Sequence, residues 1–260
     1  MSRERTYGVE AVILKRSDLG EADRLLTLYS ASHGKLRVVA KGIRKTKSRK
    51  SGHLELFMRS NILLARGRNL DIVTQAEIIE AFLPIRADLE RTAHAYYIAE
   101  LIDQFAEESL ENRLVFDLLL TALRRLGDSG DLWLTARFYE LRLLGAFGYQ
   151  PQLHYCVQGD EAIEPVDNYF DAARGGVLCP RHGAGESGAR PLSLNALKTL
   201  RYLQTRDYDE CARLALSAPT RAEVETVLLR TITHLLERRL KSAEFVRALR
   251  RPELVEGRRE

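Results

Sequence analysis

Two groups of side chains in this chain have types and spacings that can do chemistry. Between Lys35 and Lys50 stand eight basic residues and no acid: Lys35, Arg37, Lys41, Arg44, Lys45, Lys47, Arg49 and Lys50. Arg66 and Arg68 add charge at a second turn, and Lys15, Arg16 and Arg24 add more near the first hairpin. A cation ordered against a phosphate releases a condensed counterion, so such a set binds a polyanion strongly at low salt and weakly at high salt. The second group is Cys156, flanked by His154 and Asp160, with Cys179-Pro180-Arg181-His182 further on. Cys-x-x-His is a ligand knuckle, and with Cys156 it supplies three of the four ligands of a structural zinc. His154 or Asp160 would be the fourth. Gly159 stands where a Cys-x-x-Cys pair would have its second thiol. The cofactor expectation is therefore one structural zinc or none, the alternative being a metal-free loop that keeps remnants of such a site.

The basic set sits in a basic module. Residues 1 to 80 hold 16 Lys and Arg against 9 Asp and Glu, a net +7, and the other 180 hold 24 against 27, a net −3. An asymmetry of this kind marks one end of a chain for an anionic partner. Arg37 alternates with Leu36 and Val38 and shares a strand face with Lys35. Arg44 to Lys50 has no apolar anchor and is expected to be a flexible arm. Tyr7, Tyr29 and Phe57 are stacking candidates for single strands or ordinary core. Nothing resembles a base-reading code, so sequence-independent binding is expected. An enzyme is not expected. There is no Gly-x-x-x-x-Gly-Lys-Ser/Thr loop, no His-Glu-x-x-His, no Gly-x-Ser-x-Gly elbow and no spaced acid set for a two-metal nuclease. The alternative is a scaffold whose barrel binds RNA or another protein.

Residues 8 to 82 read as strands. They are Gly8 to Lys15, Asp23 to Ser30, Leu36 to Ala40, Leu54 to Ala65 and Leu70 to Phe82, separated by turn signals. Five short strands favour a small closed barrel, which removes exposed edges, with an SH3-like barrel or a small sandwich as competitors. After Pro84 the period becomes helical over Leu89 to Glu108, Leu110 to Leu126 and Leu132 to Leu144, and again over Leu194 to Gln204 and Arg221 to Arg239. Thr220 with Glu223 reads as a capping box for the last helix. Tyr149 to Arg190 breaks the pattern with three prolines, six glycines and two cysteines. Cys211 reads as a small core residue. The fold class is α+β: residues 1–83 a barrel, 84–250 an all-helical domain with an irregular Cys/His insert at 149–190, and 251–260 a charged tail. With 45% hydrophobic residues, three cysteines, no secretory pattern and no apolar run of membrane-spanning length, a soluble cytoplasmic protein with no membrane partner is expected.

The residues also carry a resemblance. Tyr7-Gly8-Val9-Glu10-Ala11-Val12-Ile13-Leu14, Gly20-Glu21-Ala22-Asp23-Arg24-Leu25-Leu26-Thr27-Leu28-Tyr29 with His33-Gly34-Lys35, and Val39-Ala40-Lys41-Gly42-Ile43-Arg44 are similar to segments of the bacterial RecO family of recombination mediators. Phe170-Asp171, Gly175-Gly176 and Cys179 match the family pattern in the insert. The resemblance spans about residues 5 to 245. It implies an OB-fold barrel that binds single- and double-stranded DNA and anneals complementary strands, with Lys35, Arg37, Lys41 and Arg44 on the DNA surface. It implies work with RecR, and in some bacteria RecF, in loading RecA onto DNA coated with single-strand-binding protein, contact with the C-terminal tail of that coating protein, and a nucleoid-associated place in the cytoplasm. Many members carry four cysteines in the insert. Here His182 replaces one and Gly159 another.

Overall fold

The computed structural model describes residues 5–45 and 51–249. Lys47, Arg49 and Lys50 lie outside the described residues. The chain divides into two compact units, Met1–Ser129 with Lys241–Glu260, and Gly130–Leu240. In the first unit two early helices pack on the strands, and the last helix packs on one of these two.

In the first unit, β1 (Thr6–Leu19) pairs antiparallel with β2 (Asp23–Ser30) and with β4 (Arg59–Ala65). β2 pairs with β3 (Gly34–Ala40), and β4 pairs with β5 (Asp71–Glu80). β3 and β5 meet in parallel through only two residue pairs, Val38 with Asp71 and Val39 with Ile72, which completes a ring in the order β1-β2-β3-β5-β4. Val9, Ala11, Ile13, Leu26, Leu28, Val38, Ala40, Ile62, Leu64 and Val73 fill its interior. They recur at every second position because side chains alternate between the faces of a strand. Along β1 the alternation fails, since Val12, Ile13 and Leu14 are all buried. A strand covered on both faces reads as a continuous apolar run, and helix α2 (Leu89–Phe105) packs on this one.

The fold-class expectation is corrected in both halves. The expected five-stranded OB-like β-barrel is corrected on its β3–β5 side, where the strands meet only as a parallel seam of two residue pairs. Leu54 to Met58 is not strand either: a 3-10 turn at Ser51–His53 leads to Phe57 in a left-handed conformation, φ 66°. Leu54 and Met58 are spent on the core instead. The part beyond the strands is not all-helical, because the expected irregular insert contains a sheet of its own.

α1 (Leu83–Ala87), α2, α3 (Arg113–Asp128) and α9 (Lys241–Leu249) complete the first unit. Asp88 and Asn112 cap α2 and α3 by accepting from the N–H groups of Arg91 and Val115. The carboxylate of Glu100 accepts from the N–H and hydroxyl of Ser242 at the start of α9. Gly34 opens β3 with φ 59°, and a Cβ there would lie 2.0 Å from the backbone oxygen of Leu110. A backbone atom cannot yield as a side-chain tip can. Gly34→Ala is therefore expected to destabilise the protein by more than about 2 kcal/mol, read as a lowered midpoint of urea unfolding. A midpoint equal to wild type would show that the turn relaxes freely.

In the second unit, α4 (Leu132–Ala146), α6 (Leu194–Thr205), α7 (Tyr208–Ala212) and α8 (Ala218–Leu236) pack around Leu141, Leu144, Leu197, Leu200, Val224 and Leu228. Cys211 is buried in α7, as expected of a core residue. Ser217, not Thr220, caps α8. Glu223 reaches instead to the N–H and hydroxyl of Ser193, the N-cap of α6, at 2.7 and 2.6 Å. The insert holds β6 (Asn168–Asp171), β7 (Gly176–Leu178) and β8 (Arg190–Leu192) in the order β7-β6-β8, with the short helix α5 (Pro180–Gly183) between β7 and β8. No described helix is long and apolar enough to cross a membrane.

Candidate nucleic-acid interface and metal centre

The strands sort the basic residues into two groups. Arg37 and Lys41 are exposed at β3 and the turn after it, and Lys45 follows. None of these three has a side-chain ion pair or hydrogen bond among the described residues, and neither does Arg68. Register sets Lys15, Thr27 and Arg37 in one row across β1, β2 and β3. Paired residues share a sheet face, so Lys15 and Arg37 project together.

The others are engaged. The ammonium of Lys35 donates to the backbone oxygen of Asp103 at 2.7 Å and lies 3.9 Å from its carboxylate, with 14% of the side chain exposed. Lys35 ties β3 to α2. Arg44 donates to the backbone oxygen of Gly20 at 3.2 Å and pairs with Asp18 at 3.3 Å. Its N–H reaches Ala22 O at 3.0 Å, and the N–H of Gly42 reaches the Asp23 carboxylate at 2.7 Å. Arg44 thus belongs to an ordered turn on the β1–β2 hairpin, anchored by the buried Ile43, and not to a free arm. The remaining arm residues, Lys47, Arg49 and Lys50, lie outside the described residues.

Two of the stacking candidates are core. Tyr29 is 1% exposed and packs on Phe116, and burial pushes its phenol up to about 12. Phe57 meets Tyr96 edge-on at 5.0 Å. Tyr7 is half-buried, and its hydroxyl donates to Asp71. Burial, then the bond to Asp71, push this phenol up to about 12.

The cysteine group is more compact than its sequence spacing suggests. Cys156, Glu161, Cys179 and His182 bring one ligand atom each to within 4.8 Å of all the others. His182 Nδ1 lies 3.4 Å from both sulfurs and 3.2 Å from Glu161 Oε1, and the Cys179 thiol donates to Glu161 Oε1 at 2.9 Å. Zinc bonds of about 2.0 to 2.3 Å imply tetrahedron edges of roughly 3.3 to 3.8 Å. The set therefore fits a four-coordinate zinc after small adjustments, and Glu161 Oε2, buried without a partner, is a further ligand atom to hand. Glu161 is the residue sequence reasoning missed. His154 and Asp160 are exposed and stand outside the group. The turn explains the choice: Asp160 has φ 57°, its N–H bonds Cys156 O at 2.9 Å, and the N–H of Cys156 bonds Glu161 O at 2.8 Å. This folds position 161 back over 156, a signal available only as Cys-x-x-x-x-Glu.

The thiols are unlike each other. Burial pushes the Cys156 thiol up, but the N–H groups of Cys179, Gln158 and Gly159 and the His182 ring together outweigh it and bring it down to about 7. Burial and the Glu161 carboxylate push the Cys179 thiol up. The bond from Cys179 holds the Glu161 carboxyl below its usual range, with His182 and Arg181 adding to this.

The described residues form a five-stranded sheet that carries exposed cations, helices packed on it, and a compact N/S/O cluster of a type that holds a structural metal ion. Residues 1–82 match the family model for the N terminus of recombination protein O, and residues 86–244 match that for its C terminus. The chain is 46% identical over 244 residues to a DNA repair protein RecO of Roseiflexus sp. (strain RS-1), covering 94% of this chain and 86% of that protein. It is 36% identical to the DNA repair protein RecO of Dehalococcoides mccartyi (strain ATCC BAA-2266 / KCTC 15142 / 195), covering 98% of this chain and 100% of that protein. With the DNA repair protein RecO of Desulforudis audaxviator (strain MP104C) the identity is 39%, covering 94% and 98%. The chain belongs to the RecO family, and its general role is in DNA repair and recombination.

Proposed function

We propose that this protein is a recombination mediator that binds single- and double-stranded DNA without sequence preference and anneals complementary strands. With RecR, and in some settings RecF, it helps load RecA onto DNA coated with single-strand-binding protein, whose C-terminal tail it contacts. The observation that carries the reading is the exposed set Arg37, Lys41, Lys45 and Arg68, on a chain of this family. Annealing needs no bond chemistry. Cations between two phosphate backbones lower their repulsion, and base pairing supplies the driving force. The protein's part is to hold charge at a spacing that both strands can share.

The same reading gives the insert a structural zinc held by Cys156, Glu161, Cys179 and His182. Four protein ligands leave no open position, so the ion would stabilise the fold and do no catalysis. The chain's own contribution is the tight turn that brings Glu161 over Cys156 and the N–H groups that favour the thiolate.

The experiment that tests the mediator reading is annealing of complementary strands coated with single-strand-binding protein, with no nucleotide present. The expected result is annealing at least about tenfold faster than without the protein, suppressed by salt. No acceleration would remove the mediator reading while leaving simple DNA binding open.

A further inference from the structure

His33, Tyr7 and Arg66 form a column at one end of the strand ring. The rings of His33 and Tyr7 are 5.1 Å apart and tilted by 30°, and the Arg66 guanidinium carbon lies 4.8 Å from the centre of the Tyr7 ring. The three come from separate segments: the start of β1, the β2–β3 turn and the β4–β5 turn. Each is held in place. The Tyr7 hydroxyl donates to Asp71, whose other oxygen accepts the N–H of Gly67 at 2.9 Å. This carboxylate is satisfied from within the fold. His33 Nδ1 bonds the Ser32 hydroxyl at 2.8 Å, and the N–H of Arg66 bonds Arg5 O at 3.0 Å. Gly34, beside His33, is confined by the backbone of Leu110.

The surroundings are cationic. Val38 pairs with Asp71, so register carries Arg37 alongside Leu70, at the end of the turn that holds Arg66 and Arg68. Arg66, Arg68 and Arg37 are exposed, and His33 is partly so.

We infer that the His33–Tyr7–Arg66 column is a stacking platform for an unpaired base of single-stranded DNA, with Arg37 and Arg68 taking the flanking phosphates. The inference rests on the DNA-binding reading above and deepens it. Imidazole rings and guanidinium planes both stack on bases, and every base has a face to offer, so the contact needs no sequence code. In a duplex those faces are covered by neighbouring bases. The platform therefore separates single strands from duplexes, which charge alone does not do.

The test uses the full chain, an unstructured oligonucleotide carrying 2-aminopurine, and a duplex of the same length. His33→Ala and Arg66→Lys are each expected to weaken single-strand binding about tenfold and to reduce the fluorescence change of the probe. His33→Phe, which keeps a flat ring, restores binding. Duplex affinity, measured on the same preparations, stays within about twofold and reports that the variants are folded. Arg66→Lys keeps the charge and loses the plane, so its loss separates stacking from charge. Unchanged single-strand binding in both variants overturns the platform. Equal losses on single strand and duplex also overturn it, because a general electrostatic or structural role would do that. Absence of binding by the wild-type chain overturns the DNA-binding reading itself.

Discussion

Protein purified without a metal-binding tag is expected to carry about one zinc per chain, and Glu161→Ala to weaken zinc binding by at least about 100-fold. The physical basis is the space beside Gly159. A Cβ at this position would lie 2.0 Å from Glu161 Oε2 and 2.4 Å from His182 Cε1. The place that a fourth cysteine would use is thus filled by the Glu161 carboxylate and the His182 ring. Both blocking atoms are ends of side chains, so the site can be rebuilt. In the double variant Gly159→Cys with Glu161→Ala, the carboxylate is gone and a thiolate enters the vacated space. Zinc affinity is expected to return to within about tenfold of the wild type. Because bound metal contributes its binding energy to folding, removal of zinc by a chelator should lower the melting temperature. Metal analysis with a competing chromophoric chelator reads the first effect, and thermal unfolding reads the second. A zinc content near zero in the wild-type protein, or an unaltered affinity in Glu161→Ala, would rule out this ligand set.

The second large effect concerns charge. Replacing Arg37, Lys41, Lys45 and Arg68 together by alanine is expected to weaken single-strand binding by two to three orders of magnitude at low salt. The slope of log affinity against log salt should fall by about 3, roughly 0.7 for each lost phosphate contact. The contrast lies in Lys35 and Arg44. Lys35 holds the backbone of Asp103, and Arg44 holds Asp18 and Gly20 O. Replacing either removes a tie within the protein, so the expected signature is a lower unfolding midpoint with a salt slope changed by less than in the fourfold variant. Fluorescence anisotropy across a salt series gives the slope, and urea unfolding gives the midpoint. An unchanged slope in the fourfold variant would place the DNA surface elsewhere. A Lys35→Ala slope as large per charge as that of Arg37→Ala would show that Lys35 leaves Asp103 to meet phosphate.

The contrast between Lys35 and Arg37 also measures what was legible in the amino-acid order. Both residues alternate with Leu36 and Val38, so their common face was readable from period two. That helix α2 covers one end of this face and leaves the other end open was not, because cover comes from residues near position 103. The same limit applies to Leu54–Met58. Their apolar run reads as strand, and only the positive φ at Phe57 and the core positions of Leu54 and Met58 show that they fill the ring instead. The capping box at Thr220 is a third case. Glu223 had the right spacing, but the nearby Ser193 offered a hydroxyl and an N–H together, and a long-range pair of bonds displaced a local one.

In the Cys/His cluster, Cys179 and His182 were legible as ligand types at knuckle spacing and Cys156 as a third ligand type, and the structure brings all three together. Glu161 was not legible, since a tight turn through Asp160 decides which acid faces the thiols.

By itself, the sequence determined the placement of charge, the alternation that makes strands, the periods and caps that make helices, and the family. These depend on neighbours a few residues apart, where backbone geometry alone relates one side chain to the next. The tertiary structure decided which cations remain exposed, which carboxylate completes the ligand cluster, and that His33, Tyr7 and Arg66 meet in a column. Each of these joins residues from separate segments, and such proximity exists only after the chain has packed.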